Sequence, residues 1–325
     1  MAKAVRIHQP GGPEELRYET VDVPAPGAGE VRLRQTAVGL NYIDVYHRTG
    51  LYPIAELPAA IGLEAAGVIE ELGEGVSDFA VGDRVAYANP PLGAYADERV
   101  IPAHRLVRLP DDIDDRTAAA MMLQGMTVQY LLRRTYAVQP GDRVLLHAAA
   151  GGVGLIACQW LNHLGAETIG TVGSSEKAEM ARAHGCHHTI DYRSENFVER
   201  VREITGGKGV RVVYDSIGRD TFNDSLDCLQ PLGMMVSFGN ATGAVENFNV
   251  GTLAQKGSLF LTRPTLMTYT AKREDMLAMA GDLFDVVRSG AVKIEINQAY
   301  ALADAADAHR DLEARRTTGS SILLP

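Results

Sequence analysis

The chain has 325 residues, 46% of them hydrophobic and 33 of them glycine, which is long enough for two domains of ordinary size. Its formal net charge is −10 and its pI about 5.4, which argues against a nucleic-acid partner, since that needs a basic face. No run of about 18 apolar residues offers a transmembrane helix, so no membrane contact is expected.

Residues 1 to about 122 read as β-rich. A first strand is predicted over residues 3–8, with a turn at Gly11-Gly12-Pro13. Residues 30–36 alternate apolar and polar side chains, the signal of a half-buried strand. Asn41 opens a short helix that His47-Arg48-Thr49-Gly50 ends. Residues 62–69 and 81–86 lead into further strands, the second through a Gly-Asp turn. Short strands with Gly and Pro turns predict a compact barrel-like unit. The Ala- and Met-rich residues 117–132 predict a helix, with a break expected near Gly125.

From Gly141 the pattern alternates. Strands are predicted over 143–148, 168–172, 189–192, 210–215, 233–238 and 258–262, and helices over 154–164, 176–184, 195–205 and 222–229. Six strands with intervening helices predict an α/β fold with a doubly wound parallel sheet. A helix over 273–289 follows, then a strand and a short helix, and this tail is expected to rejoin the first domain. The domains expected are 1–123, 124–262 and 263–325.

His147-Ala-Ala-Ala-Gly-Gly-Val-Gly154 sits between an apolar strand and a helix with apolar positions at Val153, Ile156, Ala157, Trp160, Leu161 and Leu164. That is the context of a dinucleotide-binding fingerprint. In the G-x-G-x-x-G pattern the three slots hold Ala149, Gly151 and Gly154. The first makes the tight turn, the second admits the pyrophosphate, and the third lets the helix pack on the strand. The helix N-terminus then offers free N–H groups to phosphates. The cysteines, Cys158, Cys186 and Cys228, are scattered and suggest neither a disulfide framework nor a zinc finger. Met1-Ala-Lys-Ala-Val-Arg6 lacks the apolar core of a secretory signal, so the cytoplasm is the expected compartment.

The segments Gly39-Leu-Asn-Tyr-Ile-Asp44, Gly50-Leu-Tyr-Pro53, Gly62-Leu-Glu-Ala-Ala-Gly67, the fingerprint, Val213-Tyr-Asp-Ser216 and Gly319-Ser-Ser321 occur together in this order. With them the whole chain resembles the zinc-free quinone oxidoreductases, the zeta-crystallin-like branch of the medium-chain dehydrogenase/reductase superfamily. The resemblance implies a GroES-like catalytic domain, a Rossmann domain and a returning tail. It also implies NADPH as cofactor, a quinone as substrate, and a homodimer formed through the last strand of the Rossmann sheet. That strand is an edge, and edges want covering. Rival readings are an NADPH-dependent enoyl or alkenal reductase, and a non-catalytic NADPH- or RNA-binding crystallin-like protein. The acidic charge counts against RNA.

No metal is expected. Catalytic zinc takes about three Cys, His or acidic ligands and an open position. By resemblance, zinc-dependent relatives place Cys where Asn41 stands and His where Leu63 stands, so that Glu64 stands here without its histidine neighbour. Without a Lewis acid an unactivated alcohol is a poor substrate, whereas a conjugated carbonyl accepts hydride from a nicotinamide.

An NAD site would put Asp or Glu near the end of the second Rossmann strand. Here Gly173, Ser174 and Ser175 stand there, with Lys177 beyond Glu176. Lys177 can meet a 2′-phosphate as a point charge, and by resemblance Tyr192 and Arg315 share that pocket. The resemblance carries over further cofactor contacts at Asn41, Tyr46, Thr127, Ala150, Gly151, Gly152, Val153, Ser216, Phe238, Gly239, Asn240, Thr262, Arg263 and Pro264. The substrate site is expected between the domains. Its candidate residues are Asn41, Asp44, Tyr46, Tyr52 and Gln124, with Tyr130 and Arg134 at the rim.

Overall fold

The structure is a computed structural model and describes residues 1–325. The N-terminal part holds β1 (Ala2–Ile7), β2 (Arg17–Val21), β3 (Glu30–Leu40), α1 (Tyr42–Thr49), β4 (Ala59–Ala60), β5 (Ala65–Leu72), β6 (Arg84–Tyr87), β7 (Glu98–Pro102) and β8 (Val107–Arg108). Helix α2 (Asp115–Tyr130) follows and ends in a π turn, Leu131–Thr135. Then come β9 (Arg143–Leu146), α3 (Gly152–His163), β10 (Glu167–Val172), α4 (Ser175–Ala183), β11 (His188–Asp191), α5 (Phe197–Ile204), β12 (Val210–Asp215), α6 (Phe222–Asp227), β13 (Leu229–Ser237), α7 (Gly251–Gln255), β14 (Phe260–Thr262) and α8 (Leu266–Tyr269). The tail is α9 (Arg273–Arg288), β15 (Ile296–Ala301), α10 (Ala305–Glu313) and β16 (Ser320–Leu324).

The chain divides into two compact units. One is Met1–Met126 with Thr270–Arg288 and Ile294–Pro325, and the other is Thr127–Tyr269 with Ser289–Lys293. The changeover falls inside α2, between Met126 and Thr127.

In the first unit β3 is the central strand. It pairs antiparallel with β5 and β7 along its length and with β16 at its C-terminal end, where Ile322 faces Gly39. The tail therefore completes this sheet, in the order β15-β16-β3-β5-β6-β8. A second sheet, β2-β1-β4, lies beside it. Apolar side chains from both parts of the chain make one core, among them Ile7, Leu33, Ile69, Val85, Leu302 and Leu323. Each such burial contributes roughly 1.5–3 kcal/mol.

The second unit is a six-stranded parallel sheet in the order β11-β10-β9-β12-β13-β14. The order reverses between β9 and β12, which is the switch point of a Rossmann sheet. Val144, Leu145, Val212 and Val213 are wholly buried, as expected of parallel strands covered on both faces. Strand β14 is the edge.

Some sequence expectations are corrected. Helix α2 runs unbroken through Gly125. A β-carbon there would stand 2.5 Å from Leu283 Cδ1, so this glycine admits a neighbouring side chain and does not break the helix. Strand β13 begins at Leu229, four residues before Gly233, the predicted start. Its pairing with β12 shifts between Val210 and Val212, and the bulge absorbs Pro231, Leu232 at φ 61 and Gly233, residues that read as breakers. The last strand, β16, is a strand the pattern did not announce. Strands β2, β4 and β7 also lie outside the predicted strands: β2 is half exposed and carries no apolar alternation.

Candidate active site

All six parallel strands of the second unit point their carboxyl ends to one edge, and each end carries residues singled out above. Ala150, Gly151, Gly152 and Val153 follow β9; Gly173, Ser174 and Lys177 follow β10; Tyr192 follows β11; Ser216 follows β12; Phe238, Gly239 and Asn240 follow β13; and Thr262, Arg263 and Pro264 end or follow β14.

The fingerprint turn shows a different division of labour from the one expected. The left-handed residue is Ala148, at φ 55, and not Ala149. Ala149 is buried under the sheet, and a β-carbon on Gly170 would come within 2.6 Å of its own. So Gly170 makes room for an alanine in the first slot. Gly154 keeps its duty: a β-carbon there would stand 2.3 Å from the Ala148 carbonyl oxygen. Gly151 is the N-cap of α3, no side chain caps the helix, and its first turn has no acid. Twelve residues of aligned peptide dipoles thus end in uncapped N–H groups. This donor set fits the pyrophosphate of a dinucleotide.

At the end of β10 the Ser174 side chain accepts from the Lys177 backbone N–H at 3.3 Å, capping α4 and placing Lys177 on its first turn. A β-carbon on Gly173 would stand 2.7 Å from the Tyr192 hydroxyl. The structure therefore gathers Gly173, Ser174, Lys177 and Tyr192, with no carboxylate at Gly173, Ser174 or Ser175 to claim a ribose hydroxyl. That chemistry fits a 2′-phosphate better than a 2′-hydroxyl.

A buried network that sequence reasoning missed supports the loop after β12. Asp215 is wholly buried. Its Oδ1 accepts from the N–H groups of Ile217 and Gly218 at 2.8 and 3.0 Å. Its Oδ2 accepts from Thr221 Oγ1 and Ser225 Oγ at 2.8 and 3.0 Å. Ser225 Oγ lies 2.9 Å from His147 Nε2, and His147 Nδ1 lies 2.9 Å from Thr171 Oγ1. Burial holds His147 below its ordinary pKa, so the neutral ring donates to Ser225 and accepts from Thr171. Ser216 and Gly239 lie against this support: a β-carbon on Gly239 would be 2.3 Å from the Ser216 carbonyl. The available signal was polar residues at the ends of apolar strands.

Thr127 is buried. Tyr130 is 3% exposed and stacks on Tyr269, ring centroids 4.5 Å apart, with Arg134 lying 5.4 Å over the Tyr269 ring. The π turn after α2 packs them together. Arg263 is exposed.

In the first unit Asn41 is the N-cap of α1, and Gly50 ends that helix in the left-handed conformation at φ 81. Tyr46 lies one turn along, its ring 5.1 Å from that of Tyr52 and 5.5 Å from that of Tyr42. Arg315, at φ 58, follows α10, and its charge acts on Tyr42. The Asn41 side-chain amide lies 2.6 Å from Glu64 Oε2 and 3.2 Å from the Gln124 side-chain amide. Ser320 Oγ lies 2.8 Å from the Gln124 side-chain amide. Asn41, Asp44, Tyr46, Tyr52 and Gln124 thus share one part of this unit.

Asp44 is wholly buried. Its Oδ2 accepts from the Asn41 N–H at 2.9 Å and from Tyr95 Oη at 3.1 Å, while its Oδ1 has no hydrogen-bond partner. Burial pushes its carboxyl up to about 7. Beyond Tyr95 the network continues to His309 Nε2 at 3.0 Å, and from His309 Nδ1 to Arg48 Nη1 at 3.2 Å. Burial, with Arg48 beside it, lowers His309 to about 3. The ring is therefore neutral, accepts from Arg48 and donates to Tyr95. Arg48 is closed off at its other side by Glu313 at 2.8 Å.

These residues do not fit a zinc ion. The Asn41 amide is engaged by Glu64 and Gln124, Leu63 is a buried hydrocarbon, and no three His, Cys, Asp or Glu side chains are grouped to hold a metal.

Residues 152–283 match the family described as zinc-binding dehydrogenase, and residues 27–111 match the alcohol dehydrogenase GroES-like domain. The chain is 55% identical to a quinone oxidoreductase of Pseudomonas aeruginosa over the full length of both. It is 51% identical to a 2-haloacrylate reductase of a Burkholderia species, covering all of this chain and 99% of that one. The crystal structure of Escherichia coli quinone oxidoreductase complexed with NADPH superposes with a TM-score of 0.98 at 50% identity, covering both chains completely.

Proposed function

This chain belongs to the quinone oxidoreductases of the medium-chain dehydrogenase/reductase superfamily, and we propose from that premise that it reduces small quinones with NADPH and without a metal. The observation that carries the reading is the row of strand ends. A pyrophosphate-fitting helix terminus follows β9, and the ends of β10 and β11 bring Lys177 and Tyr192 beside an acid-free Gly173-Ser174-Ser175. NADPH supplies the hydride when bound.

The chain's own residues bind and orient. The N–H groups opening α3 hold the pyrophosphate, and Gly151, Gly152 and Val153 let it approach. Lys177 would hold the 2′-phosphate, with Tyr192 beside it and Arg315 as a further cation for it. Thr127, Ser216, Phe238, Gly239, Asn240 and the Thr262-Arg263-Pro264 turn line the remaining length of the cofactor. Asn41 and Tyr46 serve its reactive end and, with Asp44, Tyr52 and Gln124, the substrate. Tyrosine rings stack on a quinone, and an amide N–H steadies the oxygen that gains charge. A quinone is electron-poor enough to accept hydride without a Lewis acid.

A second reading is supported by the 2-haloacrylate reductase at 51% identity: reduction of a conjugated carbon–carbon double bond at the same site. A spectrophotometric panel separates the two. NADPH oxidation is followed with benzoquinone, naphthoquinone, an enal and a 2-haloacrylate. Fastest turnover with a quinone supports the first reading; turnover with the haloacrylate alone replaces it with the second.

We further propose a homodimer through β14. That edge strand exposes Phe260 and Leu261, at 56% and 37%, and pairing it with its mate would cover them. Sedimentation of Leu261→Lys as a monomer is the expected result. The three cysteines are free thiols, which supports a reducing compartment such as the cytoplasm.

A further inference from the structure

Ser320, Gln124, Asn41 and Glu64 form one buried hydrogen-bonded chain, exposed by 2%, 7%, 5% and 0%. Its two ends have fixed polarity. At one end the Leu123 N–H can only donate, and it donates to Glu64 Oε1 at 2.7 Å. At the other the Ala120 carbonyl can only accept, from Ser320 Oγ at 2.9 Å. The middle is two amides, whose nitrogen and oxygen are nearly equal in shape, so their partners decide which faces which.

Counting hydrogens chooses the direction. A serine hydroxyl has one hydrogen. Ser320 lies within bonding distance of both Ala120 O and the Gln124 amide. If its hydrogen serves Gln124, the contact with Ala120 has no hydrogen in it. If its hydrogen serves Ala120, then Ser320 Oγ must accept from Gln124. The Gln124 oxygen then faces Asn41, the Asn41 NH2 faces Gln124, and the Asn41 oxygen faces Glu64. That last contact then needs a hydrogen on Glu64. Its length agrees: 2.6 Å is ordinary for O–H···O and short for N–H···O, whose modes are about 2.7–2.8 and 2.9–3.0 Å.

We propose that Glu64 is a positioning residue held as a carboxylic acid, and that Glu64, Gln124 and Ser320 together turn the Asn41 amide so that its spare N–H is available to a substrate or cofactor oxygen. The proposal rests on the reading above only in taking Asn41 to face the reactants. Glu64 is well placed for the role. Burial, with the Asp44 carboxyl adding to it, pushes Glu64 up to about 8. The titratable groups acting on the same pocket are Asp44, Tyr87 and Tyr95, with Arg99 beyond Tyr87. Gly39 leaves the space: a β-carbon there would come 2.2 Å from Glu64 Oε2.

Glu64→Gln is the discriminating variant. Leu123 still needs an acceptor, so the new amide turns its oxygen there and its NH2 toward Asn41. That reproduces the direction set by the acid and cannot ionise. The first measurement is the infrared difference between ligand-free wild type and Glu64→Gln at neutral pH. A carbonyl band of a protonated carboxyl group in the wild type, lost in the variant, is expected; its absence overturns the proposal. The second is kinetic. Glu64→Leu should lower kcat by about tenfold or more, as misplacement of a reacting group does. Glu64→Gln should restore most of that loss and remove the fall in rate above about pH 8 that ionisation of Glu64 gives the wild type. A folded Glu64→Gln protein as inactive as Glu64→Leu would instead show that the carboxylate is needed. The infrared band requires no substrate, so failure of the quinone reading would leave it standing.

Discussion

A β-carbon on Gly173 would lie 2.7 Å from the Tyr192 hydroxyl oxygen; the bare backbone at the end of β10 is what lets the tyrosine close over it. Tyr192 is 39% exposed, so its ring can swing outward. Gly173→Ala should therefore fold with an unchanged melting temperature yet raise the KM for NADPH by about fivefold, the equivalent of one ordinary hydrogen bond. An unchanged KM would remove Tyr192 from the cofactor pocket.

Lys177 stands on the first turn of α4 beside Glu176, just past the acid-free Gly173-Ser174-Ser175. A charge-assisted hydrogen bond contributes about 1.5–3 kcal/mol. Lys177→Ala should raise the KM for NADPH by roughly 10- to 150-fold and leave that for NADH unchanged. Steady-state kinetics with both cofactors checks this. Equal losses with both would mean that Lys177 does not read the phosphate.

Glu64 and Asp44 are wholly buried acids, pushed up to about 8 and about 7 from ordinary values of 4.5 and 3.8. Between those values the folded state binds more protons than the unfolded state, so stability falls as pH rises. The contribution of Glu64 is fully present below 4.5 and lost as pH climbs through about 8; that of Asp44 is lost through about 7. Urea midpoints measured across this window should decline in the wild type and decline less in Glu64→Gln. Parallel slopes would show that Glu64 does not keep its proton on folding.

Gly125 lies mid-helix, yet Leu283 occupies the space its side chain would fill. Leu283 is wholly buried and has nowhere to move. Gly125→Ala gains helix propensity of about 1 kcal/mol but overpacks the core at a cost of about 1–3 kcal/mol. The net expectation is a lower denaturation midpoint. A higher one would show that α9 can shift to accept the methyl group.

Much of the second unit was legible because its strands are short apolar runs and its helices amphipathic, both set by local pattern. The row of cofactor residues was legible for the same reason, since each follows a recognisable strand. What stayed hidden depends on partners distant in sequence. Strand β16 forms because its residues meet Gly39 and Val38 of β3, and nothing in residues 320–324 announces that. The bulge of β13 swallows Pro231 and Gly233 because the neighbouring strand tolerates it. The stacking of Tyr130 on Tyr269 likewise joins residues far apart in the chain.

The sequence by itself determined the order of strand and helix, the glycine-rich turn, the missing thiolate and imidazole at Asn41 and Leu63, and the absence of an acid at Gly173. Those are properties of residue type and spacing. Only the tertiary structure decided that Ala148 takes the left-handed turn, that Gly170 makes room for Ala149, and that Asn41 lies in a buried chain between Glu64 and Gln124. Hydrogen-bond direction and burial are set by groups that meet only on folding, and a buried polar group must find its partners there.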